Sequence, residues 1–415
     1  MSSFGIDTLE YIKVKKLRTG LEDFEVCAMS SNLPVSFDDK AQSDLLGPFR
    51  FLIKLTLLDC STKSKCCGLL TTLIAIGIIV ALLARVGLLM ETDGKPLSFA
   101  WAECNFFGFP AIFPALSAVS ILSWTKSLFF PNFVKKLIRL RNLRLEPNQK
   151  LDSYGRIHVV ALIFSIPWLI AMMSWILYNY VENATIYFGA TEESKVIYRV
   201  ALIISNFYIW FISTVCLAFF VLVFTSINRE VSHFNQELEK SKNEKTLKSI
   251  GILEKFDFRQ NEILELILFA NQSLSSFGSV TPLFLFYGLI NGVYLTSFFD
   301  DLPTLYKVIL GLNLAAIIIY NFIILSTACA LQEHLATSTR ILINHYEFEC
   351  SKDSTVYQTY RLMVDRFQKV DTRMYVVSAI PITRSTFAAA SFIVPNMGFL
   401  LVIIKKVLIE NGGHV

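Results

Sequence analysis

Apolar residues in this chain gather in long unbroken runs, and polar residues gather between them. Six windows contain no Asp, Glu, Lys or Arg: residues 66–83, 106–124, 159–180, 200–224, 266–298 and 308–331. A seventh window, 385–404, is also uncharged, although Ser, Asn and Gly interrupt it. At about 1.5 Å per residue, roughly 20 apolar residues cross a hydrocarbon core of about 30 Å. The pattern therefore predicts an all-α membrane protein with seven transmembrane helices. Residues 1–65 precede the first span, residues 332–384 separate the sixth from the seventh, and residues 405–415 form a tail.

Several helices should outrun the bilayer. From Glu262 to Phe298 a single helix would measure about 55 Å. The charged stretches 228–242 and 245–258 flank a turn at 241–244 and read as extensions of the fourth and fifth spans. After the sixth span, Leu331, Leu335, Ser338 and Leu342 keep one face. Tyr360, Met363, Val364, Phe367, Val370 and Met374 then recur at helical spacing, which predicts an amphipathic helix ahead of the seventh span. These extensions should pack into a helical bundle outside the bilayer.

Charge gives the chain a direction. The net charge is only +4, but alternate segments hold 31 and 7 of the 38 Lys and Arg. Cytoplasmic loops carry the excess of basic residues. The N-terminus should then be cytoplasmic and the C-terminus extracellular, in a multi-pass protein of the plasma membrane. Asn183-Ala184-Thr185 is a glycosylation sequon in a loop assigned to the outside, so Asn183 is the expected glycosylation site.

Composition narrows the function. With 53% hydrophobic and 17% charged residues, the chain is no disordered segment, disulfide scaffold or ordinary soluble enzyme. Nothing points to nucleic acid. There is no HExxH, GxSxG or Walker A sequence, so no enzyme and no cofactor are expected. The five His are scattered, without zinc-ligand spacing. The spans hold no carboxylate, which counts against an ion-coupled transporter. A cytoplasmic N-terminus, together with the lack of Asp-Arg-Tyr and Asn-Pro-x-x-Tyr, counts against a rhodopsin-type receptor.

Aromatic and amide residues cluster in the halves of the spans assigned to the outside. Trp175, Tyr178, Asn206, Tyr208, Tyr287, Asn291, Tyr294, Asn313 and Tyr320 are candidates for a largely apolar pocket that takes a small neutral organic ligand.

The stretch 259–295, with Asn271, Phe277-Gly278 and Tyr294, resembles the fifth-span signature of insect gustatory and odorant receptors and their nematode gustatory-receptor-like or serpentine receptor class r relatives. Residues 327–344 and 374–404, the latter with its Ile382-Thr383-Arg384 lead-in, resemble the sixth-span extension and last region of that family. The resemblance implies a chemosensory subunit of a ligand-gated cation channel, four subunits joined through the cytoplasmic bundle as a homo- or hetero-tetramer, and a last span lining the pore. The family's last span carries Thr-Tyr, five apolar residues, then Gln-Phe. Here Gly398-Phe399 and Lys405-Lys406 occupy those places. The resemblance then puts the pore and gate on Phe399, Val402, Lys405 and Lys406, with lysines from four subunits at the outer mouth. Two other readings keep the same topology: a receptor that signals through a cytoplasmic partner without conducting, and a non-conducting accessory subunit of a related channel.

Overall fold

The computed structural model describes residues 45–61, 65–90, 97–145, 154–182, 192–299, 302–344, 354–377 and 379–410. Asn183 lies outside them, and so does the side chain of Trp175. In chain order the helices are α1 (Phe49–Leu55), α2 (Lys65–Met90), α3 (Phe99–Lys126), α4 (Phe129–Asn142), α5 (Gly155–Glu182), α6 (Glu192–Asn243), α7 (Ile250–Phe298), α8 (Thr304–Ile343), α9 (Ser354–Lys369) and α10 (Arg384–Glu410). A short antiparallel pair, β1 (Tyr375–Val376) and β2 (Ile380–Pro381), stands between α9 and α10.

Each of the seven uncharged windows falls within one helix, α2, α3, α5, α6, α7, α8 or α10. Among the described residues six helices are long and apolar enough to cross a membrane. The count is seven if α3 and α4, which meet at a 63° bend, form one span. The bend has a local cause: Leu128 takes a left-handed φ of 53° between them. Helix α7 is continuous for 49 residues, or about 74 Å. With α6 and α8 it runs on past the uncharged windows to what we term the extended end, where α4 and α9 pack against it; the opposite end is the short end. Helix α10 does not stop where the uncharged window stops. It continues through Lys405 and Lys406 to Glu410.

Local chemistry starts several of these helices. Ser98 caps α3 by accepting from the Trp101 amide at 3.1 Å. At α10, the Thr383 amide donates to the Thr386 hydroxyl at 2.8 Å while the Thr386 amide donates back to Thr383 Oγ1 at 3.4 Å, a reciprocal cap. Pro167, Pro282 and Pro395 sit inside α5, α7 and α10. Neighbouring helices can re-satisfy the backbone groups such prolines free.

The core lies along α7, which packs against α3, α8 and α10, while α6 packs between α5 and α8. Helix α2 lies on α3 and leaves Leu69, Leu70, Leu73 and Val80 exposed, a surface suited to lipid. Among the described residues of the extended end, buried Arg and Glu side chains are paired. Arg144 and Glu230, at 0% and 1% side-chain exposure, are joined at 2.6 Å, and Arg259 pairs with Glu237. Helix α4 pins itself to α7 through Arg139–Glu262 at 2.8 Å.

Candidate functional site

Of the nine residues expected to line one pocket, the eight whose side chains are described separate into several places. Tyr178 meets Tyr306 edge-on at 5.6 Å, at the short end. Tyr294, fully buried, donates its hydroxyl to the Leu97 carbonyl at 2.7 Å. Tyr287 is 41% exposed and donates to Asn105 Oδ1 at 2.6 Å, and its own carbonyl accepts from Asn291. Tyr208 donates to the carbonyl of Thr56, just after α1. Asn313 is buried with its amide returned to the Ile309 carbonyl, and Asn206 is buried in α6. Tyr178 and Tyr294 share an aromatic cluster at the short end through Tyr306, Phe99 and Phe299, and Tyr320 enters another, deep in the bundle.

That cluster was not singled out by the sequence. Trp168 of α5 stacks on Tyr320 of α8, with ring centroids 3.8 Å apart and planes 28° apart. Trp210 of α6 meets Trp168 edge-on at 6.0 Å and 82°. Phe113 of α3 meets Trp168 at 6.3 Å and 78°. Four helices thus converge on one indole. The Tyr320 hydroxyl is placed against the Thr214 side chain. Neither Trp168 Nε1 nor Trp210 Nε1 has a hydrogen-bond partner among the described residues, and both are buried. A buried donor without an acceptor costs about 1–3 kcal/mol. A small acceptor that reached either donor would relieve that cost. The available signal was Trp in the middle of an apolar run, since an indole N–H in hydrocarbon needs a partner.

A second constellation links the bundle to α10. The Thr372 carbonyl accepts from Asn271 Nδ2 of α7 at 2.8 Å and from Gln332 Nε2 of α8 at 3.1 Å. Met374 fills the space left by Gly278, where an added Cβ would lie 2.4 Å from its sulfur. The Val377 amide reaches the Ser279 carbonyl at 3.4 Å. Asn271 and Gly278, two of the residues that carried the resemblance, are therefore the grips by which α7 holds the segment leading to α10.

Asp371 organises the near side of that segment, accepting from Arg373 Nε at 2.9 Å and from the Tyr375 hydroxyl at 2.5 Å. Partial burial pushes its carboxyl up, but the hydrogen bonds from Tyr375 and Arg373 outweigh this and hold it below the usual carboxylate range. A depressed folded value means the stabilisation is complete above the unfolded value of about 4 and is lost as pH falls through the lower folded value. Asp371→Asn is expected to loosen the β1–β2 segment at neutral pH and to abolish its acid sensitivity. Hydrogen exchange of residues 371–382, corrected for intrinsic rates, reads both effects.

Helix α10 touches its own chain by one face. Its buried residues are Val394, Gly398, Val402 and Lys405. Phe399 is 52% exposed, and Lys406 is exposed. Of the four residues assigned to the pore and gate, two thus face the subunit's own bundle and two face away from it. Among the described residues no group of three or more His, Cys, Asp or Glu could hold a metal ion.

Comparison with known proteins agrees with this architecture. The insect olfactory receptor OR5 from Machilis hrabei superposes with a TM-score of 0.60 at 11% identity, over 87% of this chain and 100% of that one. The same receptor in complex with eugenol gives 0.58 at 10% identity, with the same coverage. At such identities the likeness is one of fold. No curated protein matches the chain. The family model described as "Caenorhabditis protein of unknown function, DUF267" matches residues 45–398, most of the length, and the chain belongs to that family.

Proposed function

We propose that this chain is a chemosensory receptor subunit that opens an ion pathway when a small organic molecule binds among Phe113, Trp168, Trp210 and Tyr320. The observation that carries the reading is the pair of partnerless indole N–H groups inside a buried aromatic cluster. Such a site selects a flat, mostly apolar ligand bearing a hydrogen-bond acceptor. Eugenol, the ligand of the OR5 complex, is a molecule of this kind: an aromatic ring with ether and hydroxyl oxygens.

The distribution of charge and the exposed face of α10 support the remaining parts of the reading. The excess of basic residues on that side supports a cytoplasmic extended end, and the plasma membrane is the location that goes with a receptor of external ligands. Helix α10 leaves Phe392, Ile393, Leu400, Ile403 and Val407 exposed, and a second copy of the chain or lipid must cover them. A tetramer with α10 around its axis, formed with copies of this chain or with related subunits, does so.

Binding tests the site. Purified protein in lipid nanodiscs should bind eugenol-sized ethers, phenols or ketones more tightly than the matching hydrocarbons. Trp168→Phe keeps the ring stack and removes one donor; it should weaken the acceptor ligands by about tenfold and leave the hydrocarbons unchanged. Equal affinity for both ligand sets, or no effect of Trp168→Phe, would contradict the site.

A further inference from the structure

We infer that Lys405 is a positioning residue that fastens the short end of α10 to its own subunit and does not contribute its charge to a central ring. The functional consequence rests on α10 being the pore helix; the fastening itself does not.

Six observations meet at this point. Lys405 is only 6% exposed, whereas Ile403, Ile404 and Val407 beside it are 40–57% exposed. Its Nζ donates to the Leu97 carbonyl at 2.9 Å. The same ammonium lies 5.4 Å from the centroid of the Phe298 ring, within cation–π range. The Leu97 carbonyl also accepts from Tyr294, so one oxygen joins the lead-in to α3, the end of α7 and the end of α10. Leu97 holds a left-handed φ of 63° directly before the Ser98 cap, which fixes where that carbonyl stands. Phe298 is held in turn by stacking on Tyr294 at 5.6 Å and by an edge contact with Phe299 at 5.0 Å.

Spacing explains the direction. Val394, Gly398, Val402 and Lys405 follow one another at four, four and three residues, which is a single stripe along α10. The stripe is seated on α7 at Gly398, where an added Cβ would be 2.6 Å from Val293 Cβ and 3.0 Å from the Ile290 carbonyl oxygen. Such close seating fixes the rotation of α10, and that rotation carries Lys405 inward. Lys406, one residue and about 100° further round, is turned out. The two lysines therefore do different things. A buried ammonium is expensive unless it is paired, and here the carbonyl and the ring supply the pairing. Moving α10 at this end must first break both contacts, which makes Lys405 the hold that an opening movement releases.

The test uses the full chain in nanodiscs and reads hydrogen exchange of peptides covering residues 402–410. Lys405→Met keeps the length and removes the charge. It should raise exchange there by about tenfold or more and leave the middle of α7 unchanged. Lys405→Arg, which can still donate to Leu97 and stack on Phe298, should restore most of the protection. Lys406→Met should have no effect. Far-ultraviolet circular dichroism of each variant confirms that the helices remain. Unchanged exchange in Lys405→Met, or an equal rise in Lys406→Met, would overturn the inference. The measurement needs no current, so it decides the fastening whether or not the protein conducts.

Discussion

Arg144→Leu should destabilise the protein by about 3–5 kcal/mol, the largest single effect expected outside the ligand site. Arg144 and Glu230 are sealed from solvent, joined by Nη2–Oε1 at 2.6 Å and Nε–Oε2 at 3.2 Å. Arg141 also reaches Glu230, at 3.4 Å. Removing Arg144 takes the two-point partner from a buried carboxylate that Arg141 meets at 3.4 Å, and the cost is mainly that carboxylate's desolvation, not the worth of one ion pair. Replacing both partners, Arg144→Leu with Glu230→Leu, should therefore recover much of the loss. Thermal unfolding of the detergent-purified protein reads both variants. The exposed pair Lys369–Asp365, at 76% and 40% side-chain exposure, is the contrast: Lys369→Ala should change stability by less than about 1 kcal/mol. If the two arginine and lysine variants melted alike, the extended end would not be held by its buried charges.

The second large effect is expected at Gly398. A side chain there meets a backbone carbonyl and a β-carbon, neither of which can swing away. Gly398→Leu should cost about 1–3 kcal/mol by overpacking and push α10 off α7. Because Lys405 lies on the same stripe, its contact with Leu97 should be lost in the same variant. Hydrogen exchange over residues 394–410 should rise together, in contrast to Lys405→Met, where only the last turns respond. Gly311 gives the opposite expectation. No atom lies within 4 Å of an added Cβ there, so Gly311→Ala should be neutral or stabilise the helix by about 0.5–1 kcal/mol.

The sequence showed the spans because apolar runs free of charge have few structural alternatives. It showed less where structure depends on what lies opposite. Helix α4 was not anticipated, although Phe129, Phe133, Val134, Leu137 and Ile138 sit on one face, because Lys135, Lys136 and Arg139 between them read first as loop charge. The β1–β2 pair has only two residues per strand and no alternation to detect. The aromatic candidates were chosen by depth along each helix, which says nothing of rotation; Tyr287 proved half out of the bundle and Tyr320 deep inside it. The same limit applies to Lys405 and Lys406. Their direction is set by how closely Gly398 lets α10 approach Val293, a contact between residues about a hundred positions apart in the chain.

The central claim, that ligand binding among the indoles opens an ion pathway, is tested most directly by current across a planar bilayer containing the purified protein. Addition of a eugenol-sized acceptor ligand should raise the current, and Trp168→Phe should shift the required concentration upward by about tenfold. Binding of the ligand with no current at any concentration would contradict the channel reading and leave a receptor that signals without conducting.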